Sequence, residues 1–345
     1  MRSGQVLRYL AIVGINLVIF YLLIRWCVEN VQPARLSEQF ARIPLAVAAL
    51  AATLNLAAIA VYGLRLSILT SQRYRVSLPT ALLGFGLNSI LPFRLGELAK
   101  LYYAKRYFAI PASRLFAATL VEKLYDLSAL ALLAGLLVTL AATDVFGRSI
   151  AAALAVVVLA GFMVLLGYRT LAHQLAQGRH RGHRLYKLYF RVSRHRLLAQ
   201  VLRATGAMSA SARLQELFAA LLEQSRLRHL ARIVCCTALI WTINTTVVYA
   251  ALSGFLPEHS IGVLDAIAVL LISALAIAIP TAPAGVGLFE AGVVAYLTRV
   301  CGVPTEPALA AAMSLHLATT SPALGLMIWI MLRSRRILNT EGAQA

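Results

Sequence analysis

The stretch "GFGLNSILPFRLGELAKLYYAKR", residues 84–106, is mostly apolar, is broken by Pro92 and Gly96, and then restarts as a short helix. Non-helical backbone is tolerated at membrane depth only where protein or trapped water satisfies its hydrogen bonds. A break of this kind therefore predicts a re-entrant hairpin that is buried among membrane-spanning helices. We expect this first hairpin to cover residues 78–110.

A second stretch, "LISALAIAIPTAPAGVGLFEAGVVAYLTR" at residues 271–299, has the same character. Its break contains Pro283, Gly285 and Gly287. The proline breaks the helix, and the glycines let backbone approach backbone or a ligand closely. We predict a second re-entrant hairpin over residues 261–303.

The composition of the whole chain sets its class. The 345 residues are 60% hydrophobic and only 13% charged, with a mean hydropathy of +0.79. No water-soluble fold can hide so much apolar side chain, which excludes a soluble cytosolic enzyme, a disordered chain and a secreted disulfide scaffold. Crossing a ~30 Å hydrocarbon core takes about 20 apolar residues. Six full spans are predicted: Val6–Ile24, Pro44–Tyr62, Ala112–Leu140, Ile150–Tyr168, Ile233–Leu256 and Ala308–Leu332.

Basic residues outnumber acidic ones by 32 to 13, which gives a net charge of +19. Lysine and arginine concentrate in the cytoplasmic loops of membrane proteins. With a cytoplasmic amino terminus, and with each hairpin returning to its own side, the inside loops carry 25 of these residues against 5 outside. This count places Arg65 and Lys100 in inside loops. Topology accounts for the positive charge, so no nucleic acid is required, and both termini are expected in the cytoplasm.

The two broken stretches share a spacing. Glu97 precedes Pro111 by 14 residues in "ELAKLYYAKRYFAIP", and Glu290 precedes Pro304 by the same 14 in "EAGVVAYLTRVCGVP". Because the hairpins would open from opposite sides, they are expected to be inverted repeats, which are typical of alternating-access transporters. The predicted fold is all-α, a single polytopic membrane domain over residues 1–345 with about six full spans and two oppositely oriented re-entrant hairpins.

The runs "NSILPFRLGELAKLYY", "EKLYD" and "PTAPAGVGLFEAGVVAYL" resemble the flippase-like membrane family that includes the membrane half of lysylphosphatidylglycerol synthases, also called multiple peptide resistance factors. The likeness covers nearly the whole chain, and "P-x-R-x-G-E" is an unusual pattern within apolar sequence. The resemblance implies a bacterial inner-membrane protein that moves a lipid between leaflets, or helps to move it. Two-domain members add a soluble aminoacyl-transferase domain. Since this chain ends thirteen residues beyond Leu332, lipid aminoacylation is not expected of it.

Charged side chains at membrane depth cost roughly 2.5–3.5 kcal/mol each, so they seldom persist without a partner or a task. Arg94 and Glu97 flank the tip of the first hairpin, where one helical turn would bring them together. Arg94 is a candidate for binding a lipid phosphate, with Glu97 holding it in place. Alternatively, the two residues neutralise each other and pin the hairpin. Asn88 either hydrogen-bonds a headgroup or caps the break.

Glu122, Lys123 and Asp126 follow on the next helix. Glu122 and Asp126 are four residues apart and share a face, and Lys123 can reach Asp126. The two carboxylates are candidates for carrying protons, coordinating a cation or pairing with Arg94. Burial and mutual repulsion would keep one of them protonated. An equally open alternative is an interhelical salt-bridge network that holds the first hairpin against this helix.

Glu290 opens the second half-helix and is a candidate for substrate binding or gating, with helix capping as the alternative. His316 is expected to be a packing residue, since no second His or Cys stands at metal spacing, and no metal site is predicted. Asp265, at the start of the second hairpin, is expected to be solvated. The four cysteines are expected to be inert packing residues.

Residues 169–232 form the one sizeable polar segment, where thirteen basic residues meet only Glu216 and Glu223. Apolar residues recur there at helical spacing. Amphipathic helices of this kind would lie along the cytoplasmic headgroups, with each basic residue contributing about 1 kcal/mol near anionic lipid. Docking of an acidic partner is the alternative.

These features predict a flippase-like transporter for an anionic or phosphate-bearing lipid. Its headgroup would be drawn to Arg94 and Lys123, and protonation of Glu122 or Asp126 would couple the inward and outward states. No catalytic constellation can be assembled, so neither an enzyme nor a cofactor is expected. The alternatives are a membrane-embedded transferase or accessory subunit of a glycolipid or hopanoid pathway, and a transporter for a soluble substrate.

Overall fold

A computed structural model describes residues 32–91, 94–108, 110–141, 227–279 and 283–342, together with Arg25. Within those ranges the regular structure is entirely helical. The helices are α1 (Pro33–Arg42), α2 (Leu45–Thr70), α3 (Tyr74–Ile90), α4 (Leu95–Phe108), α5 (Ala112–Ala141), α6 (Leu227–Phe255), α7 (Val263–Ala278), α8 (Leu288–Arg299) and α9 (Thr305–Gly342), with a 3-10 turn at Pro283–Gly285.

Four of these helices are long and apolar enough to cross a membrane. The membrane-length segments are Leu45–Thr70, Arg114–Leu140, His229–Phe255 and Thr305–Leu332. They coincide with four of the six predicted spans, so the prediction of an all-α polytopic membrane bundle is confirmed. The other two predicted spans, Val6–Ile24 and Ile150–Tyr168, lie outside the described residues, as do Pro92 and residues 169–226 of the basic segment.

The predicted end of the second span was wrong. That span was expected to stop at Tyr62, but α2 continues for two more turns to Thr70. The charged residue in this extension, Arg65, is flanked by apolar residues and is fully buried. Arg65 is therefore part of a membrane helix and not of an inside loop, and Lys100, also counted as a loop residue, is buried within α4.

The first broken stretch forms two helices, α3 and α4, that meet at a tight crossing. Arg94, just before α4, has a left-handed backbone with φ of 55°. A Cβ added to Gly96 would lie 2.5 Å from the backbone nitrogen of Asn88 and 2.6 Å from the carbonyl oxygen of Gly84. No side chain fits there, so glycine at position 96 is what permits the close approach of the two helices.

The second broken stretch is an antiparallel helix pair. The chain reverses between α7 and α8 through left-handed residues, namely Ala284, Gly285 and Gly287. Residues on the two helices then pair in opposite order: Gly285 lies against Ile277, Gly292 against Ile272, and Tyr296 against Asp265. The ends of the pair, near Asp265 and Tyr296, are therefore side by side.

The helices of both pairs are short. They contain 17 and 14 residues in α3 and α4, and 16 and 12 residues in α7 and α8. At 1.5 Å per residue their lengths are about 18–26 Å, below the ~30 Å of a hydrocarbon core. Each pair is followed by a long membrane helix, α5 or α9, that begins directly after Pro111 or Pro304. Re-entrance into the membrane and inversion of the repeat remain predictions.

The chain folds as two compact units that interleave in sequence. Unit 1 consists of Met1–Ala60, Leu82–Leu98 and Ile240–Ala345, and unit 2 of Val61–Ala81 and Ala99–Leu239. The core of unit 2 is a cluster from α2, α3, α4, α5 and α6. Its buried members are Leu66, Leu69, Ala81, Leu101, Ala104, Ile110, Leu115, Ala117, Ala118, Val121 and Ile233.

Candidate functional site

Four charged side chains lie together in unit 2, and we call them the charge quartet: the buried Arg65 of α2, Lys100 of α4 and Glu122 of α5, and the half-buried Asp126 of α5. Arg65 and Asp126 form its rigid half. The guanidinium donates two hydrogen bonds to the Asp126 carboxylate, from Nη1 at 2.8 Å and from Nη2 at 3.1 Å. Nη1 also donates to Thr237 Oγ1 of α6 at 2.9 Å. A fork-to-fork pair of this kind fixes both distance and orientation.

Local sequence explains how α2 can hold a cation. Arg65 lies one turn from Tyr62, and the guanidinium carbon is 4.9 Å from the centroid of that aromatic ring, within the range of a cation–π interaction. The neighbouring Leu66 and Leu69 belong to the apolar core of unit 2. The helix thus presents one polar position within an otherwise apolar surface, and α5 and α6 supply the acceptors for it.

Glu122 forms the loose half of the quartet. One carboxylate oxygen is 3.9 Å from Arg65 Nε and the other is 3.7 Å from Lys100 Nζ. Both separations are ion-pair distances, but neither is short enough for a hydrogen bond. Arg65 Nε is buried and has no hydrogen-bond partner in the described part of the chain.

The quartet contains two positive and two negative groups, so its formal charge is balanced when all four are ionised. Burying charges is expensive, and only close pairing with hydrogen bonds offsets the loss of water. Asp126 meets that condition and Glu122 does not. Glu122 is therefore the member that can be neutralised by a proton, or replaced between the two cations by another anion, with the smallest loss of contacts.

The structure resolves one of the alternatives raised by the sequence. Glu122 and Asp126 do share a face of α5, and both meet Arg65, while Glu122 also meets Lys100 on the second helix of the first broken stretch. The interhelical salt-bridge network is thus present. Lys123 differs from the members of the quartet in that its side chain is exposed.

Sequence reasoning missed Arg65 and Lys100 because each was counted as a loop residue. A signal was available for Arg65, since the apolar run continues past it through Leu69. A charged residue inside a continuing apolar run indicates a buried partner and not the end of a span. For Lys100 no comparable signal exists, because two further cations of α4, Lys105 and Arg106, follow it closely and are exposed.

Arg94, Glu97 and Asn88 lie together at the first break, in unit 1. Arg94 and Glu97 are both half-buried, but no ion pair joins them among the described residues, so the predicted pairing of the two is not formed. The reason is that Arg94 has left-handed backbone and precedes α4, whereas Glu97 is the third residue of the helix. Asn88 Oδ1 is buried against Gly96 and has no hydrogen-bond partner in the described ranges.

Half-buried Glu290 and buried His316 form a second pair, also in unit 1. The backbone N–H of Gly287 donates to Glu290 Oε2 at 2.6 Å, which is the helix-capping contact considered as an alternative above. The other oxygen, Oε1, accepts a hydrogen bond from His316 Nδ1 at 2.6 Å. The imidazole also stacks on the ring of Phe289, with centroids 4.3 Å apart. Its Nε2 is buried without a hydrogen-bond partner in the described residues.

Asp265 holds the two ends of the second helix pair together. Its carboxylate accepts hydrogen bonds from the Gly262 N–H and from the Tyr296 hydroxyl, each at 2.8 Å, and Cys301 Sγ lies 3.7 Å away. The expectation that Asp265 is simply solvated was therefore wrong, because the antiparallel packing of α7 and α8 brings hydrogen-bond donors to its carboxylate. Burial and this carboxylate raise the pKa of Cys301 to about 12, so the thiol stays protonated and unreactive at neutral pH.

No group of three or more His, Cys, Asp or Glu side chains within the described ranges is arranged to hold a metal ion. The charged groups of the quartet are a guanidinium, an ammonium group and two carboxylates. A phosphate or carboxylate of a ligand suits the two cations, whose donors are a planar fork and an ammonium group.

Comparison with known proteins gives a family for the chain. The model of the lysylphosphatidylglycerol synthase transmembrane region matches residues 11–326, which is most of the sequence. The match includes both broken helix pairs, the quartet and the Glu290–His316 pair. A search of curated proteins finds no match.

Proposed function

Because the chain belongs to the lysylphosphatidylglycerol synthase transmembrane-region family, it is a membrane protein with a lipid-related function, and we propose that it moves an anionic or phosphate-bearing lipid between leaflets. The observation that carries the proposal is the position of Glu122 between two buried cations, without a hydrogen bond to either. A carboxylate held in this way is exchangeable, whereas a purely structural pair would adopt the geometry of Asp126 and Arg65.

In this proposal the lipid phosphate takes the place of Glu122 beside Lys100 Nζ and Arg65 Nε. Protonation of Glu122 would release the two cations for the phosphate, and loss of that proton would expel it. Asp126 stays bound to Arg65 throughout and keeps the guanidinium oriented. The chain itself forms and breaks no covalent bond.

The two broken helix pairs are the proposed gates. Each contains two short helices, a left-handed break and a glutamate at the third position of the second helix, Glu97 or Glu290. Re-entrant pairs of opposite orientation would open a midplane site to one leaflet at a time. Arg94 is proposed to receive the headgroup at the first gate.

We propose that the protein lies in the bacterial inner membrane with both termini in the cytoplasm. The asymmetry of lysine and arginine supports this orientation, because such residues are retained on the cytoplasmic side. In this orientation the basic segment 169–232 faces the cytoplasmic headgroups, where it would bind anionic lipid.

The test is lipid movement in reconstituted vesicles containing acyl-labelled phosphatidylglycerol or phosphatidylcholine, with the outer-leaflet label removed by an impermeant reductant. We expect the protein to move phosphatidylglycerol faster than protein-free vesicles do. Glu122→Gln, which makes the side chain at position 122 permanently uncharged, and Lys100→Gln should each slow movement at least about tenfold. The matched control is Glu258→Gln, since Glu258 is exposed in the loop between α6 and α7.

Two results would count against the proposal. If the wild-type protein moved lipid no faster than protein-free vesicles do, the proposed transport activity would be excluded. A folded Glu122→Gln protein that moves lipid at the wild-type rate would show that Glu122 is only structural.

A second candidate follows from the description of the family, which names a synthase. The chain would then be a membrane-embedded transferase, or an accessory subunit of a lipid-modifying pathway. The deciding measurement is mass spectrometry of a lipid extract incubated with purified protein and activated donors. A covalent mass change on a lipid favours this candidate, and none is expected if the chain is a transporter.

A further inference from the structure

Two turns of unit 2 and the start of α6 lie at one end of that unit. The core cluster joins residues from the end of α2, the start of α3, the end of α4, the start of α5 and the start of α6. Leu69, Phe108, Leu115 and Ile233 belong to this cluster or pack against it. The α2–α3 turn, the α4–α5 turn and the first turns of α6 are therefore close together.

This end is strongly basic. The described residues of unit 2 include ten lysines and arginines. The acidic residues in the same ranges are Glu122 and Asp126, and both belong to the quartet. We give the name basic collar to six cations at the clustered end: Arg73, Arg75, Lys105, Arg106, Arg114 and Arg232. Five are exposed and Arg114 is half-buried. Arg73, Arg75 and Arg106 form no ion pair with any described residue.

Tyrosines are interspersed with these cations. Tyr74 lies between Arg73 and Arg75 and is 41% exposed, and Tyr102 and Tyr107 of α4 are 71% and 43% exposed. Tyrosine prefers the interface between membrane and water, where its ring meets apolar chains and its hydroxyl meets headgroups. The collar therefore combines cations for phosphate with aromatic side chains that fit the headgroup layer.

The two cations of the quartet lie a short distance along the helices from collar residues. Lys105 and Lys100 are five residues apart on α4, about 7.5 Å along the helix axis, and Arg65 lies five residues before the end of α2. Arg65 therefore lies about one and a half turns from the end of α2, which precedes the exposed Arg73, and Lys100 lies about one and a half turns from the exposed Lys105 of α4.

We propose that the basic collar is a binding surface for the headgroups of anionic lipids in the leaflet that it faces, and Arg232 is the one residue that it shares with the segment 169–232. The binding itself is independent of transport. Its use as the place from which a phosphate reaches Lys100 rests on the proposed function.

The test is native mass spectrometry of the full-length protein in detergent, after removal of bound lipid and titration with phosphatidylglycerol or phosphatidylcholine. The collar variant is Arg73→Gln/Arg75→Gln/Arg106→Gln. The matched control is Arg35→Gln/Arg42→Gln/Arg299→Gln, which removes three exposed arginines from unit 1. We expect the collar variant to bind phosphatidylglycerol at least about fivefold more weakly than wild type, and the control to bind it within a factor of two.

Equal losses in both triple variants would show a general effect of net charge, and no loss in the collar variant would show that the collar does not bind lipid. Either result overturns the proposal. A wild-type salt titration is a second measurement that does not depend on the variant folding, because exposed cations are screened at high ionic strength. Binding that is insensitive to salt would contradict an exposed collar. Since no lipid movement is measured, collar binding can hold even if transport fails.

Discussion

Glu122 and Glu290 are both carboxylates beside a broken helix pair, but they are held in opposite ways. Glu290 accepts one short hydrogen bond on each oxygen, from Gly287 and from His316. Glu122 lies between two cations at 3.7 and 3.9 Å with no hydrogen bond to either. The difference separates a carboxylate that fixes structure from one that can change its partner.

The physical reason lies in what a buried anion requires. Hydrogen bonds to the ionised form favour it, and a carboxylate that has them on both oxygens loses much when it is protonated or moved. A carboxylate with only long-range attraction to cations has less to lose. The following predictions test this contrast, from the largest expected effect on stability to the smallest.

Arg65→Met should have the largest effect. It removes the guanidinium that donates to Asp126 and Thr237, and breaking one side of a buried ion pair costs about 3–5 kcal/mol. Thermal unfolding in detergent measures this, with exposed Arg73→Met as the control. The double variant Arg65→Met/Asp126→Leu should recover much of the loss, because no uncompensated charge is left. A single variant as stable as wild type would mean that the pair contributes nothing.

His316→Ala should have an intermediate effect. It removes the stacked contact with Phe289 and one of the two hydrogen bonds to Glu290, and a buried charged acceptor that loses a donor costs about 1–3 kcal/mol. The same unfolding experiment applies. Leu317→Ala, one residue along α9 and exposed, is the control. If His316→Ala were no more destabilising than the control, the Glu290–His316 pair would not contribute to the stability of the fold.

Glu290→Gln should have a smaller effect. The amide retains one oxygen that can accept from Gly287 or from His316, so about 0.5–2 kcal/mol is lost, the range of a helix cap. Combining this change with His316→Ala should cost less than the sum of the two, since the side chains share one hydrogen bond. Additive losses would show that they do not interact.

Glu122→Gln should change stability least, within about 1 kcal/mol, because no hydrogen bond to Glu122 is lost and a neutral amide requires less solvation when buried. The expected result is a protein that unfolds like wild type yet moves lipid poorly. A loss as large as that of Arg65→Met would place Glu122 among the structural residues and remove the contrast with Glu290.

How much could be predicted from sequence differs between the two carboxylates. The spacing of Glu122 and Asp126 indicated a shared helix face, and the position of Glu290 after a glycine-rich break indicated a cap. Neither pattern identified the distant residue that each carboxylate meets, Arg65 for Glu122 and Asp126 and His316 for Glu290. Arg65 is 61 residues from Asp126 and His316 is 26 residues from Glu290, so helical periodicity had no means of joining them.

The sequence by itself determined that this is a polytopic helical membrane protein of a lipid-related family, and it located four spans and two helix breaks, because apolar length, proline and glycine act locally. Only the tertiary structure decided which charges are paired. The pairing depends on which helix faces approach one another. Arg65 and Lys100, which the sequence placed in loops, lie beside Glu122, whereas Lys123, the residue next to Glu122, is exposed.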